Sequence, residues 1–138
     1  QMIIASNESY DLAKKFLEYN EPIPQFDTRF PNSLESCLAT PFQKFDKKYL
    51  YSGLIGKASI LFYLMIKNHP FQNGNKRIAV TTLLFFLYKN EKWLKVDSQI
   101  FYNFAVWVAQ SPSEVREDVI KGIERFIRKF LVKIPTLS

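Results

Sequence analysis

The chain has 138 residues, of which 47% are hydrophobic and 16% aromatic, which suits one domain with a buried core and excludes a disordered chain. We expect no membrane-spanning segment and no leader peptide, because Lys67 and the pair Lys76-Arg77 interrupt the two longest apolar stretches and no basic segment precedes an apolar run. The formal charge of +6 is spread along the sequence, so we expect a solvated basic surface and no nucleic acid as a direct ligand.

Strong periodicity near 3.6 residues and only four glycines predict a mostly helical chain. The first half is expected to contain a helix over residues 7–19, an extended proline-rich connection over 21–31, a short helix over 33–39, and a hairpin within 40–51 that turns at Asp46-Lys47. Cys37 has apolar neighbours in the short helix, so we predict a buried structural thiol. A single cysteine also fits a reducing, cytoplasmic location.

The second half has longer helical patterns. We expect a helix over 52–68 and a helix over 78–87, and the second should lie at the centre of a bundle because it is apolar on nearly every side. An extended piece over 93–96 should follow, and then a helix that is capped by Asp97 and ends near 110. The last helix is expected to start with a capping box at 111–114 and to end near 133. The predicted architecture is an all-α helical bundle, a single domain over residues 1–138, with one small β-hairpin.

Residues 69–77, His-Pro-Phe-Gln-Asn-Gly-Asn-Lys-Arg, join two of these predicted helices and contain the only histidine of the chain. Gly74 permits a tight turn, and Asn75 is a natural N-cap for the apolar helix that follows. The amides of that first turn, together with Lys76 and Arg77, would form a phosphate cradle. His69 lies across the loop, placed to accept a proton from a hydroxyl. Each residue alone has an ordinary structural explanation, but the combination predicts phosphoryl or nucleotidyl transfer.

The segment HPFQNGNKR resembles the signature of the Fic/Doc family, His-x-Phe-x-(Asp/Glu)-(Gly/Ala)-Asn-(Gly/Lys)-Arg, and in particular its death-on-curing (Doc) branch. The likeness extends over roughly residues 20–110 and includes PNSLESCLATPFQKF before the motif and IAVTTLLFFLYKN after it. It implies an all-α Fic fold that binds ATP or another nucleoside triphosphate with Mg²⁺. The family transfers part of that nucleotide to a hydroxyl of a target protein.

The resemblance also implies a role for each residue of the motif. It implies that His69 is a general base and that Pro70 and Phe71 are structural, with Phe71 anchored in the core. It also implies that Gly74, Asn75 and Lys76 bind phosphate and that Arg77 stabilises transition-state charge. Residues 41–50 lie where the family has a flap that holds the target segment by strand-like pairing.

Two positions depart from the family pattern of adenylylating members. Lys76 stands where those members usually have Gly, and Val80 stands where they have a second Arg. Lys76 is the Doc-like residue, and in that branch the resemblance implies a reversed nucleotide and transfer of the γ-phosphate. Asn73 replaces the Asp or Glu that holds Mg²⁺, and its neutral carbonyl oxygen is a weaker ligand, so we expect weakly held metal and weak activity.

Our leading hypothesis is therefore a Doc-like transferase that phosphorylates a cytoplasmic protein. Family precedent suggests a toxin of a toxin–antitoxin pair, with a translation factor as target and a separate antitoxin protein as partner. The alternatives are adenylylation (AMPylation) by the same site, a nucleotide-binding pseudoenzyme because of Asn73, and a basic helical nucleic-acid binder. Residues 113–118, SEVRED, are similar to the family's inhibitory motif, but a capping box explains them better.

Overall fold

The computed structural model of this chain describes residues 31–68 and 74–134. These two ranges contain five α-helices and four short strands, namely α1 (Pro31–Ala39), β1 (Lys44–Phe45), β2 (Lys48–Tyr49), α2 (Gly53–Lys67), α3 (Asn75–Lys89), β3 (Lys92–Leu94), α4 (Ser98–Gln110), α5 (Arg116–Phe130) and β4 (Leu131–Lys133). The predicted all-α class is confirmed. The helix predicted over 7–19 lies outside the described residues, as does the extended connection predicted over 21–31 apart from Pro31. At Pro31 the prediction is wrong, since this residue begins α1.

Helix α2 is the structural centre of the described residues, since it packs against α1, α3, α4 and α5. Every residue from 58 to 66 is buried, so all sides of this helix are covered over more than two turns. Helix α3 is its main partner and is itself buried on most sides from residue 75 to residue 87. The prediction that the helix following the 69–77 segment lies centrally is confirmed, although α2 shares that position. None of the helices in the described ranges is long and apolar enough to cross a membrane.

Aromatic rings join α2, α4 and α5 on one side of the bundle. The rings of Phe104 and Phe126 are stacked with their centroids 4.0 Å apart. Phe62 of α2 stacks on Phe104 at 6.3 Å, and Phe101 lies 5.5 Å from Phe126. Such pairs contribute about 0.5–1.5 kcal/mol each beyond the burial of their area. These rings therefore hold α4 and α5 against the central helix.

Both ends of α4 are stabilised as helix termini require. The Asp97 carboxylate accepts hydrogen bonds from the backbone N–H groups of Gln99 and Ile100, at 3.0 and 3.3 Å, which confirms it as the N-cap. At the other end, Lys67 Nζ donates to the carbonyl oxygens of Ala109 and Ser111, at 3.1 and 2.6 Å. A cation at a helix C-terminus also interacts favourably with the helix dipole. Lys67 thereby ties the end of α2 to the end of α4.

The predicted hairpin is confirmed. Strand β1 pairs antiparallel with β2, with Lys44 opposite Tyr49 and Phe45 opposite Lys48. The turn residues Asp46 and Lys47 both have positive φ, 51° and 65°, as a two-residue type I′ hairpin turn requires. A short 3₁₀-helix, Thr40–Phe42, leads into β1 from α1.

The capping box predicted at residues 111–114 is wrong. The Ser111 hydroxyl instead donates to the carbonyl oxygen of Val108 at 2.6 Å, which ends α4. A 3₁₀-helix, Ser113–Val115, follows, and neither it nor α5 has a side-chain hydrogen bond at its N-cap. Hydroxyl groups bond to whichever backbone group is nearest, and here the end of the preceding helix is nearest.

The last helix ends at Phe130, three residues before its predicted end, and the chain continues as β4. This strand pairs antiparallel with β3, with Lys92 opposite Lys133, Trp93 opposite Val132 and Leu94 opposite Leu131. The described residues therefore contain a second small sheet that the sequence analysis did not predict. Local periodicity cannot reveal such a strand, because its hydrogen-bond partner lies about forty residues earlier in the sequence.

Candidate active site

Helix α3 begins with a left-handed glycine. Gly74 has φ 72° and ψ 17° and is the N-cap, and its carbonyl oxygen accepts the first intrahelical hydrogen bond, from Ile78 N at 3.1 Å. The positive φ agrees with the conformational freedom expected of Gly74, but the prediction of Asn75 as N-cap is wrong, since Asn75 is the first residue of the helix. Glycine adopts this conformation without the steric cost that a Cβ would add, so the chain enters α3 one residue earlier than expected.

The first turn of α3 places two polar side chains inside the protein. Asn75 is 8% exposed and Arg77 is 4% exposed, whereas Lys76 between them is half-buried. A guanidinium does not lose its proton in proteins, so its burial requires compensation by hydrogen bonds or by an anion. The N-terminal amides of the helix add the positive end of its dipole at the same place. The first turn of α3 therefore contains a buried guanidinium, a half-buried ammonium group and the positive end of the helix dipole.

The end of α2, just before the 69–73 segment, is held by α1. Asn68 ends the helix, and its N–H donates to the carbonyl oxygen of Leu64 at 2.9 Å. Its own carbonyl oxygen accepts a hydrogen bond from the Ser33 hydroxyl at 3.0 Å. The segment 69–73 thus connects two fixed points, Asn68 at one end and Gly74 at the other.

The hairpin contacts both helices that flank this segment. The Tyr49 ring contacts two ammonium groups, with Lys44 Nζ 4.7 Å and Lys57 Nζ 3.8 Å from its centroid. Lys57 belongs to α2 and also donates to the carbonyl oxygen of Tyr51 at 2.9 Å. Just before β1, the Phe42 ring meets Phe86 of α3 edge-on at 6.2 Å. These contacts fix the base of the hairpin.

The predicted burial of Cys37 is confirmed, since its side chain is inaccessible to solvent. Its thiol donates to the carbonyl oxygen of Leu64 at 3.4 Å. Burial raises the pKa of this thiol to about 11, and a hydrogen bond with the Asn68 side chain partly offsets that effect. Because the thiolate is the reactive form, Cys37 is not a nucleophile near neutral pH.

Comparison with known families identifies the chain. A model of the Fic/DOC family matches residues 5–87, more than half of the 138 residues. The chain belongs to the Fic/DOC family. Members of this family are typically NTP-dependent transferases, which indicates a transferase-type activity for this chain. Comparisons with curated proteins and with solved structures gave no match.

The Fic/DOC match covers the whole 69–77 segment, α1, α2, the hairpin and most of α3. The structure brings the predicted phosphate-binding residues together at one helix terminus, namely Gly74, Asn75, Lys76 and Arg77. The other predicted site residues, His69, Pro70, Phe71 and Asn73, lie outside the described residues, so their roles stay predictions.

The contacts of Ser33 and Lys57 were not predicted from the sequence. Each depends on a partner that folding brings close, Asn68 for Ser33 and the Tyr49 ring for Lys57. The sequence favours Asn32 or Ser33 as the N-cap of the short helix, which is wrong because both lie within α1. Lys57 belongs to no recognisable local motif. The sequence likewise did not distinguish the burial of Arg77 from the partial exposure of Lys76.

The described residues do not fit a protein-held metal ion. They contain no group of three or more His, Cys, Asp or Glu side chains that could hold one. The first turn of α3 contains no acidic residue. Mg²⁺ prefers carboxylate and phosphate oxygens, so a role for this ion stays a prediction that depends on Asn73 and on the nucleotide.

The left-handed start of α3 can be tested with two glycine substitutions. We expect Gly74→Ala to lower the free energy of unfolding by about 1–2 kcal/mol, because a Cβ disfavours positive φ. Gly56→Ala is the matched control. Gly56 lies within α2, where an added Cβ would meet only the Tyr51 carbonyl carbon at 3.6 Å, so alanine should be neutral or stabilise by about 0.5–1 kcal/mol. Urea denaturation measures the free energy of unfolding of both variants. Equal effects at the two positions would contradict the left-handed conformation of Gly74.

Proposed function

We propose that this chain is a Doc-like member of the Fic/DOC family that transfers the γ-phosphate of ATP to a hydroxyl of a cytoplasmic protein. The observation that carries the proposal is the pair Lys76-Arg77 in the first turn of α3, immediately after the left-handed Gly74. Lys76 is the residue that resembles the Doc branch, whereas adenylylating members usually have Gly at this position. The preference for γ-phosphate transfer depends on this residue.

The geometry of the first turn of α3 supports phosphate binding. Arg77 is buried and presents a planar guanidinium, which can form two parallel hydrogen bonds to phosphate oxygens. Lys76 is half-buried and adds a second, more mobile cation. The positive end of the α3 dipole lies at the same point. Two cations and a helix terminus at one place match the concentrated negative charge of a triphosphate.

In the proposed reaction, His69 accepts the proton of the target hydroxyl. The hydroxyl oxygen forms a bond to the γ-phosphorus of ATP, while the bond between that phosphorus and the β–γ bridging oxygen breaks. The bridging oxygen keeps the electron pair and leaves with ADP. Arg77 and the α3 terminus stabilise the charge that develops on the transferred group. Asn73 would hold a nucleotide-bound Mg²⁺ only weakly, because it offers a neutral oxygen, and the ion would supply charge neutralisation at the phosphates.

The proposed docking element for the target is the β1–β2 hairpin. Its two strands have only two residues each, so an extended target segment could add to either edge by backbone hydrogen bonds. Phe45 on β1 is 74% exposed, which offers an apolar contact to such a segment. Tyr49 of β2 contacts Lys57 of α2, and Phe42, in the 3₁₀-helix before β1, contacts Phe86 of α3.

Family precedent supports a cellular role as the toxin of a toxin–antitoxin pair. In this role the target is a translation factor, and a separate antitoxin protein restrains the activity. Residues 113–118, which resemble an inhibitory motif, form the 3₁₀-helix Ser113–Val115 and the first residues of α5.

Asn73 favours a second candidate function, a nucleotide-binding protein with little catalytic activity. The loss of a carboxylate at this position removes the expected metal ligand, while the cationic first turn of α3 would still bind phosphate. Adenylylation by the same site is a further alternative, and it differs only in which phosphorus is attacked.

Label transfer distinguishes these functions. We would incubate the protein with bacterial lysate and ATP labelled at either the α- or the γ-phosphate. We expect only the γ label to appear on protein, and His69→Ala to abolish the transfer because the hydroxyl then loses its general base. Transfer of the α label would show adenylylation instead. Full transfer by His69→Ala would contradict the catalytic role of the motif.

Asn73→Asp tests whether the metal site limits activity. We expect it to lower the Mg²⁺ concentration needed for half-maximal nucleotide binding by about tenfold and to raise the transfer rate, because a carboxylate binds a hard cation more strongly. Asn103→Asp is the matched control, since Asn103 is exposed on α4 and should leave both quantities unchanged. If Asn73→Asp behaved like the control, Asn73 would not be a metal position.

A further inference from the structure

The two faces of the β1–β2 hairpin carry different side chains. Lys44 lies opposite Tyr49 and Phe45 lies opposite Lys48, so each pair shares a face and the two pairs lie on opposite faces. The face of Lys44 and Tyr49 contacts α2, since Lys57 Nζ lies 3.8 Å from the Tyr49 ring centroid. The other face is open to solvent, since Phe45 and Lys48 are both exposed. One bound segment would therefore meet different chemistry on each face.

Two ammonium groups meet at the ring of Tyr49, which is itself 45% exposed. Lys44 Nζ lies 4.7 Å from the ring centroid, and Lys57 Nζ, on the same ring, also donates to the Tyr51 carbonyl oxygen at 2.9 Å. An ammonium group has further N–H donors for another acceptor. Within the described ranges no carboxylate forms an ion pair with either lysine. An anion beside Tyr49 would thus be attracted by both members of this Lys44–Lys57 pair.

The backbone groups of the same two strand residues point away from the hairpin. Antiparallel strands alternate between residue pairs that exchange hydrogen bonds and pairs that do not. Leu50 N donates to the Gln43 carbonyl oxygen at 3.0 Å, so residues 43 and 50 are a bonded pair and the next pair, Lys44 with Tyr49, is not. The N–H and C=O groups of Lys44 and Tyr49 therefore lie at the two outer edges. Among the strands that the structure describes, β1 and β2 pair only with each other.

We propose that the hairpin selects target segments in which an acidic residue lies between two apolar residues, an inference that rests on the proposed function. A segment that pairs with Lys44 or Tyr49 at an edge places the opposing residue on their face, beside the Lys44–Lys57 pair. A carboxylate at this position meets both ammonium groups. The residues before and after it lie on the other face, where Phe45 and Leu50, 74% and 55% exposed, offer apolar contacts.

The charges of the hairpin favour an acidic segment over a basic one. Neither strand contains an acidic residue, and Lys48 adds a cation to the solvent-exposed face. The turn residues Asp46 and Lys47 offset each other in charge. Complementary charges speed association, and like charges exclude wrong partners. We therefore expect segments with lysine or arginine at the central position to be rejected.

The Lys44–Lys57 pair lies apart from the predicted catalytic motif. Lys57 and Asn68, the residue that precedes the motif, are about 16 Å apart along the α2 axis at the usual rise per residue. The carboxylate is thus a recognition element, and the hydroxyl that reacts lies several residues away in the target. Peptide binding to the hairpin can be measured without nucleotide, separately from phosphate transfer.

A ¹H–¹⁵N NMR titration of the protein with two peptides, in the absence of nucleotide, tests the proposal. The probe is a short peptide with a central glutamate between valine residues, and the second peptide has glutamine instead of glutamate. We expect the glutamate peptide to shift the backbone amide signals of Lys44 and Tyr49 more than those of α5. It should bind about fivefold more tightly than the glutamine peptide, an effect of the size expected for exposed charge pairs. This preference should decrease as salt is raised.

Lys44→Glu should abolish the preference for glutamate over glutamine, because it replaces one of the two attracting charges with a repelling one. The preference is a ratio of two affinities measured on one variant, so a general loss of affinity does not imitate this result. Lys121→Glu is the matched control, since it makes the same change in net charge at an exposed position of α5 and should keep the preference within about twofold.

The proposal is overturned if neither peptide shifts the hairpin signals, if both peptides bind equally, or if the preference survives Lys44→Glu. It is also overturned if Lys121→Glu abolishes the preference, because the effect would then come from net charge alone. Equal binding of both peptides would leave γ-phosphate transfer in the labelled-ATP assay unaffected. Absence of that transfer would contradict the proposed function but would leave the peptide preference measurable.

Discussion

Burial of a permanent positive charge at the start of α3 is the constraint on which the candidate site depends. Arg77 is almost wholly enclosed, and its guanidinium remains charged at any pH at which the protein is folded. Such a charge is stable inside a protein only when the backbone places it accurately against compensating groups. The left-handed Gly74 sets where α3 begins, and Arg77 lies in the first turn that follows it. The proposed phosphate site is a consequence of this local geometry.

The described elements around the candidate site are all attached to the central helix, α2. Helix α3 packs along α2. The end of α2 is held at two points, since Ser33 of α1 donates to the Asn68 carbonyl oxygen and Lys67 of α2 donates to carbonyl oxygens at the end of α4. The hairpin is attached to the beginning of α2 through Lys57. The elements expected to bind phosphate and the element expected to bind a target are thus mounted on one helix. A rigid support of this kind keeps reacting groups in place.

The sequence predicted most of the described helices because their apolar residues repeat locally. The turn at Asp46-Lys47 and the cap at Asp97 were also predictable, since these residues act on their own neighbours. The predictions failed where a partner distant in sequence, or competition between neighbouring groups, decided the outcome. Strand β4 depends on pairing with β3, and the Ser111 hydroxyl bonds backwards to α4. The residues of the phosphate site were predicted, but the burial of Arg77 follows only from the packing of α3 against α2.

The positions of the cations in the folded chain could not be predicted from the sequence either. The cations are spread along the sequence, which indicated an ordinary solvated surface, yet pairing of β3 with β4 places Lys92 beside Lys133. The fold thus brings together two cations that are about forty residues apart in the sequence.

The most direct test of the central claim is a nucleotide titration followed by ¹H–¹⁵N NMR. If the first turn of α3 binds phosphate, addition of ATP should shift the backbone amide signals of Asn75, Lys76 and Arg77 more than the other signals, and adenosine should not reproduce these shifts. Unchanged signals from these three amides at a nucleotide concentration that saturates binding would contradict the account.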